Sequence, residues 1–424
     1  MTYEQALEYI HSLNRFGIKP GLERINALLN KLNNPQNELE FIHVAGTNGK
    51  GSTSTALSNI MAASGKKTGL FISPFVVDFR ERIQINGEYI SKSDLARLTE
   101  KISAFVPFVE QEVEDNITEF EFITALMFTF FAEQKCDVVV LEVGLGGRLD
   151  STNVIKAPLV SVITKIALDH IAVLGDTVEK IALEKCGIIK PNSITVTSSL
   201  QNKTALEVIK KVSVEQNSKL VIADASKASN LNLAPFGSEF IYNNLNVTVN
   251  LPGEHQVENM VTVIEAALAL GVSNEAIVNG ISKTAFPARL EVISKEPLVI
   301  IDGAHNENGA EVLANYLDKH NLKPVTLLGM MADKDCSSVV KKIASRASAV
   351  YTVKVECNLR TQTAEELADL SKKFCAFSLP SKDYATALSA AAQKAKELSV
   401  PLLICGSLYL ASDIRQMAIN YFKK

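Results

Sequence analysis

A chain of 424 residues with 47% hydrophobic content exceeds the ~250–300 residues at which a single core stops growing, so a larger and a smaller packed domain are predicted. The formal charge of −4, spread without a dominant basic block, argues against nucleic acid as a partner, because a phosphate backbone demands a basic footprint; a small anionic substrate needs positive charge only locally. Six scattered cysteines without Cys-x-x-Cys spacing argue against a zinc site or redox pair and read as reduced thiols.

The N-terminal stretch MTYEQALEYIHSLN is amphipathic and mixed in charge, without a signal-like apolar core, and no later run approaches ~20 apolar residues. A soluble, cytoplasmic protein with no membrane partner is expected. Leu39–Gly46 predicts a buried strand, and Ala56, Leu57, Ile60 and Met61 after Gly51 recur at helical spacing. Helical stretches at Glu119–Gln134 and Thr177–Ile188 alternate with apolar runs at Asp137–Val143 and Pro158–Thr164. That is the α/β pattern of a mostly parallel sheet covered by helices, with right-handed crossovers.

Alternation on either side of Asn243-Asn244 within Glu239–Leu251 predicts a peripheral antiparallel hairpin. A helix over His255–Leu270 and a short strand near Leu290–Ile293 follow, and Ser294–Pro297 then interrupts the pattern. The division is placed there, with residues 1–296 as the P-loop unit and 297–424 as a smaller Rossmann-like α/β unit. Strands at Leu298–Ile301, Pro324–Leu328, Ala349–Val353 and Leu402–Cys405 alternate with helices in the second unit. No heptad or long apolar stripe demands a partner, and a monomer is expected.

Gly46-Thr47-Asn48-Gly49-Lys50-Gly51-Ser52 stands between the first strand and its helix. There, small residues let backbone N–H groups approach phosphate and the helix N-terminus favours an anion. Lys50 is placed to reach the terminal phosphates of a nucleotide. Strict Walker spacing fails, because Val44 occupies the first glycine position and Gly51 the hydroxyl position after the lysine. Another group must therefore help to hold Mg²⁺.

The string AGTNGKGS resembles the Mur ligase superfamily, and in particular its folylpolyglutamate synthase branch. Further strings resemble that family's motifs in the family's order: Ser73-Pro74, Glu142–Gly147, Leu168-Asp169-His170, Glu184–Lys190, His255-Gln256 with Asn259, Pro287–Glu291, Asp302–Asn306 and Gly406–Leu410. The resemblance implies ATP binding by Gly46 to Ser52, with Gln256 and Asn259 serving the purine and Asp302 and His305 contacting the nucleotide. It implies Mg²⁺, in one or two ions, served by Ser73, Glu142 and His170, and catalytic roles for Lys50, Lys185, His170 and Arg289.

On residue chemistry alone, Glu142 is a strand-end carboxylate suited to an oxygen-seeking cation, while a lone histidine such as His170 is more often structural and imidazole is a poor Mg²⁺ ligand. Lys185, among Ile181, Ile188 and Ile189, could be partly buried, with a lowered pKa and a neutral amine, but its residue type favours an exposed helix-surface lysine beside Glu184. The resemblance reverses that and implies a carbamylated lysine. Arg289 could reach an interdomain cleft or close a rim salt bridge; Asp302 could equally cap a helix.

Ser73-Pro74-Phe75 departs from the Ser-Pro-His of many members. Phe75 could stack on a pterin or sit in the core. Residues that bind glutamate are not legible.

The implied reaction is addition of L-glutamate to the terminal carboxylate of folate or tetrahydrofolate through an acyl phosphate made from ATP, with closure about a hinge near Ser294–Pro297 excluding water. Dihydrofolate synthase activity on dihydropteroate is the alternative. A nucleotide-gated switch is a third reading.

Overall fold

The computed structural model describes residues 1–13, 19–76, 78–332, 336–356 and 361–422. The first sheet has eight strands: β1 (Phe41–Ala45), β2 (Thr68–Phe71), β3 (Ile83–Ile85), β4 (Glu88–Tyr89), β5 (Val138–Glu142), β6 (Val160–Ile163), β7 (Ile194–Ser198) and β8 (Lys219–Ala223). Their spatial order is β4-β3-β2-β5-β1-β6-β7-β8. Every pairing from β2 to β8 is parallel, and β3 and β4 add an antiparallel edge.

Strand alternation decides what each face buries. Val139 and Leu141 of β5 enter one core with Phe122 and Phe128 of the helix Glu119–Glu133, whereas Val138 and Val140 enter the opposite core with Leu57 and Ile60 of the helix Lys50–Ala63. Thr118 starts the first of these helices through a capping box with Glu121, which satisfies two N–H groups that the helix leaves unpaired.

A three-stranded antiparallel sheet, β9 (Ser229–Ala234), β10 (Gly237–Tyr242) and β11 (Leu245–Val249), covers the second face. Its β10–β11 turn falls on Asn243 and Asn244, at φ 48° and 62°. Both values are of the left-handed kind that a two-residue type I′ hairpin requires and asparagine tolerates.

The second main sheet contains β12 (Glu291–Lys295), β13 (Leu298–Ile301), β14 (Val325–Leu328), β15 (Ala349–Thr352), β16 (Ser378–Pro380) and β17 (Leu402–Cys405), in the order β12-β13-β17-β14-β15-β16. Only the β12–β13 pairing is antiparallel. This corrects the expected hinge. Ser294–Pro297 turns a hairpin inside the second sheet, with Lys295 opposite Leu298, and the chain crosses between the sheets in the irregular stretch 283–290.

The loop after β2 ties the two units together. Phe75 packs against the core of the first unit, while its neighbour Val76 is buried in the core of the second, with Val299 and Ile404. Among the described residues, no helix is long and apolar enough to cross a membrane. The five described cysteines are buried and unbridged; Cys357 lies outside the described residues.

Candidate active site

The loop from β1 to the helix Lys50–Ala63 lies at the carboxyl ends of the parallel strands, where open α/β sheets collect ligands. Gly49 caps the helix at φ 85°, and a Cβ there would stand 2.6 Å from the Asn259 Oδ1. No other residue fits. The helix Glu254–Ala269 is thereby pressed against the loop, where Asn259 donates to the Gln256 amide oxygen at 3.0 Å and Gln256 approaches the Ser52 hydroxyl at 3.5 Å.

Two lysines converge behind the loop. Lys50 Nζ donates to the Gly46 carbonyl at 3.1 Å and to that of Thr47 at 3.4 Å, and Lys185 Nζ donates to the same Gly46 carbonyl at 2.8 Å. Lys185 is 4% exposed, the reverse of the surface lysine suggested by its residue type. Burial, and then the positive charge of Lys50, push its pKa down to about 7. Near neutral pH a large share of this amine is unprotonated.

Glu142 ends β5 and is buried. Burial pushes its carboxyl up to about 7, against the opposing pull of Lys50, the Ser73 amide and Arg289. The Ser73 N–H donates to it at 3.2 Å. From the second unit, Asp302 at the end of β13 accepts the Leu290 and Ala304 N–H groups, each at 2.8 Å, which anchors the irregular segment that carries Arg289.

Thr47 to Ser52, Ser73, Glu142, Gln256, Asn259, Arg289 and Asp302 together line one cavity of ≈ 220 Å³, with Pro74, Val76, His255, Phe286 and Leu408 also in its wall. Gly46 and Lys185 stand directly behind it through the shared carbonyl. His305 is not in the lining, and its Nδ1 lies 2.8 Å from the Gly303 carbonyl oxygen. His170 is also outside: it is half exposed, 3.8 Å from Asp169. Its segment is nevertheless rooted at the loop, because Thr47 and Ala167 exchange two hydrogen bonds of 3.0 Å.

Among the described residues, no three His, Cys, Asp or Glu side chains converge as a ready metal cage. Mg²⁺ does not need one, since it is commonly held by one or two carboxylates together with phosphate and water. Glu142, an acidic group beside Ser73 whose carboxyl burial pushes up to about 7, fits that requirement.

A second pocket of ≈ 390 Å³ shares Ser73 and Pro74 with the first and continues over Arg82, Phe120, Gly144, Leu145, Asp150 and Val173. Asp150 is buried and accepts the Leu145 and Thr152 N–H groups at 2.7 and 3.0 Å. Phe75 lines neither pocket; it packs edge-on against Phe79, and Arg82 lies over both rings at 5.2 and 5.4 Å. Sequence reasoning passed over Arg82, Phe120 and Asp150. The only signals they carry are an arginine just before a short strand, an aromatic in a first helical turn and an Asp-x-Thr cap, all of which occur widely in structural roles.

The Mur ligase middle domain matches residues 44–267, and the Dihydrofolate synthetase C-terminal domain matches 289–417. The chain is 37% identical to the folylpolyglutamate synthase of Lacticaseibacillus casei over 99% of both chains. It is 35% identical to the dihydrofolate synthase/folylpolyglutamate synthase of Bacillus subtilis over 98% of this chain and 99% of that one. The solved Mycobacterium tuberculosis folylpolyglutamate synthase, complexed with ADP and AMPPCP, superposes with a TM-score of 0.87 at 29% identity, covering 98% of this chain and 99% of that one.

Proposed function

We propose, starting from the fact that the chain belongs to the folylpolyglutamate synthase/dihydrofolate synthase family of ATP-dependent ligases, that it joins L-glutamate to the terminal carboxylate of a folate, with tetrahydrofolate as acceptor. The observation that carries this reading is the Ser73–Pro74 turn, which walls both cavities. It sets a glycine-rich phosphate cradle beside a less polar pocket roomy enough for a ring system.

In this reading the amides of residues 46–51 and Lys50 hold the polyphosphate, and Arg289 reaches the same cavity from the second unit. Gln256 and Asn259 face the purine, and Asp302 holds Arg289 in place while His305 stands near the nucleotide. Glu142 and Ser73 would hold Mg²⁺, whose chemistry when bound is to neutralise phosphate charge. His170 would join them only if its segment swung inward.

The acceptor carboxylate passes from the second pocket to the first and attacks the γ-phosphorus of ATP, releasing ADP. The amine of glutamate then attacks the acyl carbon, phosphate departs and a proton is lost. Enclosure by the two units keeps water from the acyl phosphate. Lys185, neutral in a large share of molecules, takes up carbon dioxide as a carbamate and releases one proton, replacing a second cation beside Lys50 with an anion. The chain is assigned to the cytoplasm as a monomer.

A second activity on dihydropteroate has one specific support, the double name of the Bacillus subtilis relative. The test is phosphate release from ATP with tetrahydrofolate or dihydropteroate, each with and without glutamate, with products identified by mass. Glutamate added to tetrahydrofolate supports the proposal. ATP turnover without either product removes folate from it.

A further inference from the structure

We infer that the guanidinium of Arg82 receives the α-carboxylate of the acceptor's terminal glutamate, the carboxylate that does not react, and so favours acceptors that already carry a glutamate. This rests on the folate reading above.

Three observations carry it. First, Arg82 is only loosely paired. Its side chain is 12% exposed, its Nε is buried without a hydrogen-bond partner, and its ion pair with Glu119 spans 3.9 Å from Nη2, beyond hydrogen-bond range. The buried Nε–H loses its hydration without replacing it, unless a ligand supplies the acceptor. Second, the group is held in place. Phe75 and Phe79 lie under it at 5.2 and 5.4 Å, so cation–π contact fixes the plane in which its donors point.

Third, Arg82 lines the second pocket together with Ser73 and Pro74 and does not line the first cavity. A glutamyl tail carries two carboxylates a few bonds apart. When the γ-carboxylate passes Ser73–Pro74 towards Lys50, the α-carboxylate remains on the side of Arg82. Dihydropteroate has a single carboxylate, which must react, and leaves Arg82 unanswered.

The experiment is steady-state kinetics of the wild type, Arg82→Lys and Arg82→Gln with tetrahydrofolate, with its α-amide, and with dihydropteroate. A charge-assisted pair of this kind predicts a ~10- to 100-fold rise in KM for tetrahydrofolate in Arg82→Gln. The kcat should stay within about 3-fold, and KM for the α-amide and for dihydropteroate should move less than about 3-fold, since neither offers the partner.

Equal KM rises for tetrahydrofolate and its α-amide, or a loss confined to kcat, would overturn the assignment. The wild type decides alone if the variants do not fold: an α-amide that binds as well as tetrahydrofolate also overturns it. Product from the wild type without α-carboxylate discrimination removes Arg82 only, whereas no glutamylated product from any acceptor removes the folate reading, and this inference with it.

Discussion

The phosphate cavity and the pocket beside it share one turn, Ser73–Pro74, but are made from different materials. The first is backbone amides, two lysines on one carbonyl and a buried glutamate. The second is prolines, glycines, aliphatic side chains and the Phe120 ring, with a hydrogen-bonded aspartate, the Arg148–Glu184 pair and a loosely paired Arg82. The difference teaches where charge is kept ready. Around the glycine-rich loop, burial brings Glu142 and Lys185 both to about 7, while in the neighbouring pocket Asp150 is held by backbone N–H donors.

Four substitutions separate these regimes. Lys50→Ala removes the lysine of the glycine-rich loop, the proposed partner of the polyphosphate, and should lower kcat by ~10³-fold, at the upper end for loss of one preorganised donor; phosphate-release assays on folded protein check it, and a loss below tenfold would move the phosphate site elsewhere. Lys185→Ala should cost about 10²-fold. Its companion measurement is a ¹³C carbamate signal from labelled bicarbonate, expected in the wild type at pH 8 and absent from the variant. A fully active variant would make Lys185 a structural lysine.

Glu142→Gln should divide activity from stability. The folded-state pKa of Glu142 is raised from 4.5 to about 7, so the folded chain binds the proton more tightly than the unfolded one. That contribution is complete below the unfolded pKa and is lost as pH rises through about 7, leaving a buried, charged group that glutamine relieves. The variant should gain ~3 kcal/mol at pH 8 and almost nothing at pH 4.5 by thermal or denaturant unfolding without Mg²⁺, while losing Mg²⁺-dependent turnover. A pH-independent gain would show that packing, not charge, was changed.

The smallest effect is expected at the rim of the acceptor pocket. Arg148 is 60% exposed in its pair with Glu184, and Arg148→Ala should change stability by no more than ~0.5 kcal/mol. A larger loss by denaturant titration would place that rim among the structural supports of Lys185, which follows Glu184 in sequence.

Much of the fold was legible because its strongest signals are local. The β5 run, the helix after Gly51 and the Asn243-Asn244 turn each declare themselves within a few residues, and the structure has them within a residue or two of the expected bounds. The Ser294–Pro297 interruption misled because a hairpin turn and a linker use the same residues; only the antiparallel partner of β13 tells them apart. Within the site, the P-loop was legible as a contiguous string. Burial of Lys185 was not, since it depends on Gly46 lying 139 positions away in sequence. Nor was the exposure of His170, which depends on how its loop leaves Thr47.

Phe75 and Val76 are consecutive, yet each is anchored in a different unit. They act as a stitch through both fabrics. Pulling Val76 out of its core would cost about 1.5–3 kcal/mol, so the units are expected to pivot about this point when they open, as covers do about a spine. The stitch follows directly on the turn that walls both cavities. The place that moves least is therefore the place where the two cavities meet.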